Sequence, residues 1–163
     1  MPAADRFDDV VDLLDYPMYV VTTANADERS GCLVGFATQA SIDPVRFLVA
    51  ISNKNHTFRV ASTAIRLVVH LISAEDRQLA ELFGEHSGDD IDKFDRCEWT
   101  PGPDGVPVLD AAAAWFSGRI IDKRTLGDHV GFLIEPDSAV VRDAGVRVLM
   151  DTDVSDMDAG HEA

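Results

Sequence analysis

The chain has 163 residues, 46% of them hydrophobic, and a formal net charge of -15. That length fits one domain with a real core, and that apolar fraction excludes a chain disordered throughout. A field of that sign repels nucleic acid and anionic lipid, so neither is an expected partner, yet one phosphate can still be held by nearby N–H groups.

From the N-terminus, residues Ala3 to Asp15 place Phe7, Val10, Val11 and Leu14 on one stripe and predict a short amphipathic helix, ended by Pro17. Met18 to Thr23 is β-branched and aromatic and predicts a strand. Asn25 to Gly31 suits a hairpin connection, and Cys32 to Thr38 returns as a second strand. Asp43-Pro44 marks a turn before a buried strand from Phe47 to Ile51. Asn55 can cap a helix through Phe58, Val60 and Ala61. Leu67 to Ile72 is a further strand, and Glu75 to Phe83 a helix with Leu79, Leu82 and Phe83 inward.

The second half begins with a polar, acidic run from Gly84 to Asp95. Its Asp89, Asp90 and Asp92 lack the glycine and distal glutamate of a calcium loop. Pro101 to Gly105 is a turn, residues 112–121 and 127–134 read as strands, and two short strands are expected between Ser138 and Met150. Residues 1–150 form the expected domain, and the acidic stretch 151–163 an expected disordered tail. Many short strands and few helices predict a mainly β barrel with peripheral helices, with an open α+β sheet as the alternative.

Cys32 and Cys97 show no CxxC spacing and read as inert thiols of a reducing compartment. The expected location is cytoplasmic, since neither a basic-headed signal segment nor an apolar run of membrane length is evident. Metal-ligand spacings such as HExxH are missing, so no metal site is expected. His70 lies in an apolar strand and reads as a satisfied core or interface residue.

Two segments carry the candidate chemistry. Gly35, Ala37, Ala40 and Ser41 are small enough for a planar ligand to reach the backbone, and Thr38, Gln39 and Ser41 add polar groups. Close strand packing alone would show the same small residues. Ser52, Lys54 and Thr57 stand where a strand runs into a helix start, a place that favours phosphate; a capped helix with a surface lysine has the same pattern.

In this order the segments resemble the flavin reductase-like, FMN-binding split-barrel family. The resemblance runs from Tyr16 to Val141. It is carried by Pro17 to Thr23, Gly35 to Pro44, Ser52 to Thr57, Leu79 to Gly84, and Gly127-Asp128-His129. It implies a six-stranded Greek-key barrel, a homodimer, and reduction of FMN (or FAD) by NADH or NADPH, with reduced flavin available to a monooxygenase. It places Thr38, Gln39, Ala40 and Ser41 beside the flavin ring, and Ser52, Lys54 and Thr57 at the phosphate. His129 falls near the nicotinamide or flavin as the candidate catalytic residue, and Lys93-Phe94 fall in a loop that can cover the flavin. Glu135-Pro136 stands where the family pattern carries a glycine. That departure motivates a second reading, a flavin carrier or sensor without nicotinamide oxidation. A third is an acidic dimeric interaction protein without cofactor.

Overall fold

In the computed structural model, which describes residues 3–89 and 91–157, α1 (Ala3–Val11) precedes β1 (Tyr19–Ala24), β2 (Arg29–Val34), β3 (Ala37–Ile42) and β4 (Val45–Ser52). Then come α2 (His56–Ala61), β5 (Arg66–Leu71) and α3 (Arg77–Gly84). They are followed by β6 (Trp99–Pro101), β7 (Pro107–Leu109), β8 (Ala114–Thr125), β9 (His129–Val141) and α4 (Asp151–Val154). Seven strands form one antiparallel sheet in the order β2-β1-β5-β8-β9-β4-β3, and β6 pairs with β7 in a separate ribbon. The fold is a mainly β split barrel with a few helices, as expected. The count of six strands falls short by the extra edge strand and the ribbon.

Alternation along the strands builds two main cores, beside a smaller cluster of Val68, Val106 and Val108. Val21, Cys32, Val49, Ile51, Leu67, Val69, Phe132 and Ile134 point into the barrel. Val20 and Ile72, one residue out of phase with Val21 and with Leu71, face Leu79, Ala80 and Phe83 of α3 instead. β1 is therefore buried on both faces, and its Thr22 and Thr23 hydroxyls donate to the carbonyls of Pro107 (2.6 Å) and Arg66 (2.8 Å).

Several sequence expectations change. The strand foreseen over Cys32 to Thr38 is two strands, broken at Gly35-Phe36. The strand foreseen over 127–134 runs on to Val141. Pro136 is accommodated because it lies opposite Gly118 at a register shift in β8. A Cβ on Gly118 would stand 2.7 Å from the Glu135 carbonyl oxygen. Of the two short strands foreseen between Ser138 and Met150, only the isolated bridges Ser73–Val148 and Pro17–Met150 remain beyond β9. The first helix ends at Val11, so Leu14 lies beyond it, and Phe7, Val10 and Leu14 are all exposed.

The acidic tail starts as structure. Met150 N–H donates to Asp153, Thr152 bonds Asp15 through its N–H and hydroxyl, and Val154 is buried under α3. These contacts tie residues 151–154 to the domain; residues 158–163 and Asp90 lie outside the described residues.

His70 is fully buried. Its Nε2 accepts from Leu109 N–H at 3.0 Å, so Nδ1 carries the proton donated to the Val20 carbonyl at 2.8 Å. Burial pushes its pKa down to about 4. The unfolded chain takes up this proton near the ordinary value of 6.5, before the native state can. The residue's contribution is thus complete above that pH and declines as pH falls toward 4, by about 3 kcal/mol. Urea unfolding across that range should show a shallower loss of stability in His70→Gln than in the parent. Equal slopes would contradict the assignment.

Candidate functional site

β2 and β3 sit at opposite ends of the sheet, yet only Gly35 and Phe36 separate them. The Phe36 carbonyl accepts from Ala50 N–H at 2.8 Å and so starts the pairing of this segment with β4. Gly35 is tightly packed: a Cβ there would stand 2.6 Å from the Tyr16 ring and 2.9 Å from Met18 Sδ, so those side chains would have to shift. β3 pairs on one side only, with β4, and Thr38, Gln39 and Ala40 are exposed.

β4 ends at Ser52 and β9 starts at His129, and these two residues are opposite each other in register. The Ser52 hydroxyl, 6% exposed with its residue, accepts from Lys54 N–H at 3.3 Å. Asn53 N–H donates to the Asp128 carbonyl at 2.9 Å, so the turn after β4 is tied to the turn before β9. His129 Nδ1 is 2.8 Å from Asp128 Oδ1, and this bond holds the Asp128 carboxyl below its ordinary range. The His129 ring also lies 5.0 Å from the ring of Phe36, which in turn is 6.3 Å from Tyr16.

Two cavities meet at this point. An inner one of about 220 Å³ is lined by Tyr16, Met18, Cys32, Ile51, Ser52 and Asn55, among others. An outer groove of about 510 Å³ is lined by Ala37, Thr38, Leu48, Leu126, Gly127 and Asp128. Gly35, Phe36, Ala50 and His129 belong to both. The sequence therefore brings Thr38, Ser52 and His129 to one trough. Lys54 is exposed in the turn just after Ser52.

The other expected residues are placed differently. Gln39, Ala40 and Ser41 line a shallow surface farther along β3 with Ile42 and Asp43. Thr57 is 1% exposed; its hydroxyl pairs with Ser30 Oγ at 2.8 Å and its N–H donates to Asn55 at 2.9 Å. A core bond thus occupies the hydroxyl expected at the phosphate. Lys93, expected in a covering loop, is 5% exposed, and its Nζ donates to the carbonyls of Gly31 (2.9 Å) and Phe83 (3.1 Å). It anchors β2 to the end of α3, and burial pushes its pKa down. Phe94 is packed with Phe83 and Trp99.

Phe36 falls within the Gly35 to Pro44 segment but carries no individual role in the sequence reading, and Leu126 lies outside every expected site segment. The one available signal was a large aromatic standing between Gly35 and Ala37 in a segment otherwise built from small residues.

The flavin reductase-like domain model matches residues 11–155. The chain belongs to the flavin reductase-like family. It is similar to a ferric-chelate reductase (NAD(P)H) of Archaeoglobus fulgidus, 26% identical over 85% of this flavin reductase-like chain and 83% of that protein. It is also similar to the 4-hydroxyphenylacetate 3-monooxygenase reductase component of Salmonella typhimurium, 28% identical over 79% and 76%. Among solved structures, an FMN-binding protein from Thermus thermophilus superimposes with a TM-score of 0.75 and 26% identity, over 83% of this chain and 78% of that one. The chain spans about a third to a half (36% and 48%) of the length of two relatives from Rhizobium meliloti.

The Thr57–Ser30 pair makes a separable prediction. Thr57→Val should lower unfolding stability by about 1–3 kcal/mol, since it leaves a buried hydroxyl unpaired, while changing flavin affinity little at saturating folded protein. A variant of parental stability that no longer binds flavin would place Thr57 back at the ligand.

Proposed function

We propose that this chain is an NAD(P)H-dependent flavin reductase that binds FMN in the trough between β3, the β4–α2 turn and the start of β9. The observation that carries this reading is the convergence of three features at the barrel seam: a one-sided edge strand of small residues, a turn bearing Ser52 and Lys54, and His129 between them. These residues fit a flavin. A flat ring needs an apolar floor beside backbone groups, and its phosphate needs donors with a cation close by. Thr38 and the adjoining backbone would orient the ring edge, Gln39, Ala40 and Ser41 would extend that wall, and Ser52 and Lys54 would hold the phosphate. His129, steadied by Asp128, would place the nicotinamide carboxamide.

Hydride transfer from nicotinamide to flavin is chemistry that the two bound cofactors supply. The chain's own work is then to orient both rings and exclude water. The ferric-chelate reductase relative supports NAD(P)H as reductant, and the Thermus protein supports FMN, with FAD the alternative. The Salmonella relative, by its name a component of a monooxygenase, supports delivery of reduced flavin to such a partner. A homodimer is part of the proposal, supported by the exposed apolar residues Phe7, Val10 and Leu14 of the N-terminal segment. So is a cytoplasmic location, with a single domain over residues 1–150 onto which residues 151–154 pack; no helix among the described residues is long and apolar enough to cross a membrane.

Titration with FMN should raise the melting temperature roughly with the logarithm of ligand excess. Anaerobic addition of NADH or NADPH to the FMN-loaded protein should then bleach the visible flavin band. Binding without bleaching would favour the carrier or sensor reading, and no binding at all would refute both. Lys54→Ala should weaken FMN about tenfold, the order of one charge-assisted contact, and leave riboflavin, which lacks the phosphate, unaffected.

A further inference from the structure

Phe36 is 56% exposed and Leu126 59%, although both face into a concave groove. Large apolar side chains at the bottom of a groove gain free energy when a flat apolar surface covers them. Phe36 is held in place from three sides. Its carbonyl is fixed by Ala50, its ring leans on His129 at 5.0 Å with planes 50° apart, and Tyr16 stands behind it. Leu126 comes from the turn before β9; its N–H donates to the His129 carbonyl at 2.9 Å. Gly131 leaves room for it, since a Cβ there would be 3.2 Å from Leu126 Cδ1 and 3.1 Å from Leu48 Cδ1. The groove thus has an apolar floor of Phe36, Leu48 and Leu126, and a polar rim of Thr38, Asp128 and His129 on neighbouring strands.

We propose that Phe36 is a ring-binding residue, the aromatic platform on which the isoalloxazine ring stacks, with Leu126 covering the same face. The occupant is committed by the shape of the polarity: a fused heteroaromatic ring has two apolar faces and one edge of donors and acceptors, and the groove offers one floor and one polar rim. Phe36 also stands where the inner cavity and the groove meet, since it lines both with Gly35, Ala50 and His129. A ring stacked on it would lie over β3 and β4 instead of sliding between Tyr16 and Ile51. This assignment rests on the flavin reading above.

The test compares FMN binding by the parent chain, Phe36→Ala, Phe36→Leu and Phe36→Trp, read by quenching of flavin fluorescence and by dissociation constant. Because the side chain is largely exposed, each variant should keep the parental melting temperature without ligand, which is measured first. Expected is a loss of about tenfold in Phe36→Ala, from the size of aromatic stacking effects. Phe36→Leu should lie between it and the parent, Phe36→Trp should bind at least as tightly as the parent, and quenching should fall in the same order. Leu126→Ala, which trims the floor but keeps the aromatic platform, should weaken binding by a smaller factor. Equal affinity and quenching in the parent and Phe36→Ala would overturn the platform. So would a change confined to the KM for NADH or NADPH, which would put the nicotinamide on Phe36 instead. A parent chain that binds no FMN defeats the flavin reading itself and is told apart from failure of the platform by that result alone.

Discussion

Everything near the site depends on the two-residue crossing from β2 to β3. In the sheet these strands lie at opposite edges, so the barrel is closed there by covalent chain and not by a ladder of hydrogen bonds. The inward residues on both sides of the seam share one core: Cys32 and Val34 from β2 meet Val49 and Ile51 from β4. Packing therefore does the work that strand pairing does elsewhere in the sheet. The crossing leaves little room for a side chain at Gly35, where Tyr16 and Met18 press in, and it turns the next side chain, Phe36, outward over the groove. An open edge strand is ordinarily a liability for aggregation. Here it is short, shifts register between Gln39 and Ser41, and interleaves the polar Thr38, Gln39 and Ser41 with small alanines.

The electrostatics of the molecule follow from how its few cations are used. Most arginines with defined partners are committed to carboxylates that stitch elements together. Arg66 reaches Asp137 with two bonds of 2.6 and 2.9 Å and Asp104 with one of 2.8 Å, binding the long β8–β9 hairpin to β5 and lowering the Asp137 pKa. Arg77 bridges Glu81 and Asp156, and Arg59 and His56 both reach Asp89. Lys93 is consumed by backbone carbonyls. The strongly acidic whole thus coexists with a turn at residues 52–55 whose Ser52 and Asn55 are locally ordered: Asn55 N–H donates to the Ser52 carbonyl at 3.0 Å. Long-range repulsion of anions is screened over roughly 8–10 Å at physiological salt, so short-range donors decide whether a phosphate is held.

How much of this was legible in the chain itself varies with the length scale of the signal. β1, β4, β5 and α3 each declare themselves within a few residues, by β-branched runs or by the spacing of Leu79, Leu82 and Phe83, and they appear within one or two residues of where they were expected. The seam does not, because Cys32 to Thr38 reads in the sequence as one strand, and only the sheet order reveals that its halves pair with different neighbours. The end of β9 was hidden for a similar reason: Pro136 reads as a strand breaker until Gly118 on β8 is seen to make space for it. Thr57 and Lys93 show the same limit for the site. A threonine at a helix start and a lysine in an acidic loop look available on paper, whereas Ser30 and the carbonyls of Gly31 and Phe83 come from far along the chain to claim them.

The same seam that makes the fold unusual also gives the proposed chemistry its direction. On that proposal, a ring resting on Phe36 and Leu126 would have one face covered by protein and the other open to the groove. One face would then be left for a second planar ring, beside the His129–Asp128 pair. Because His129 is paired in register with Ser52, any shift of β9 against β4 would move the rim and the phosphate turn together. On the proposed reading, register in this one strand pair would couple the anchoring of the cofactor to the alignment of its reductant. A substitution that loosens β4 from β9 would accordingly be felt in both binding and turnover, even if it touches neither ring.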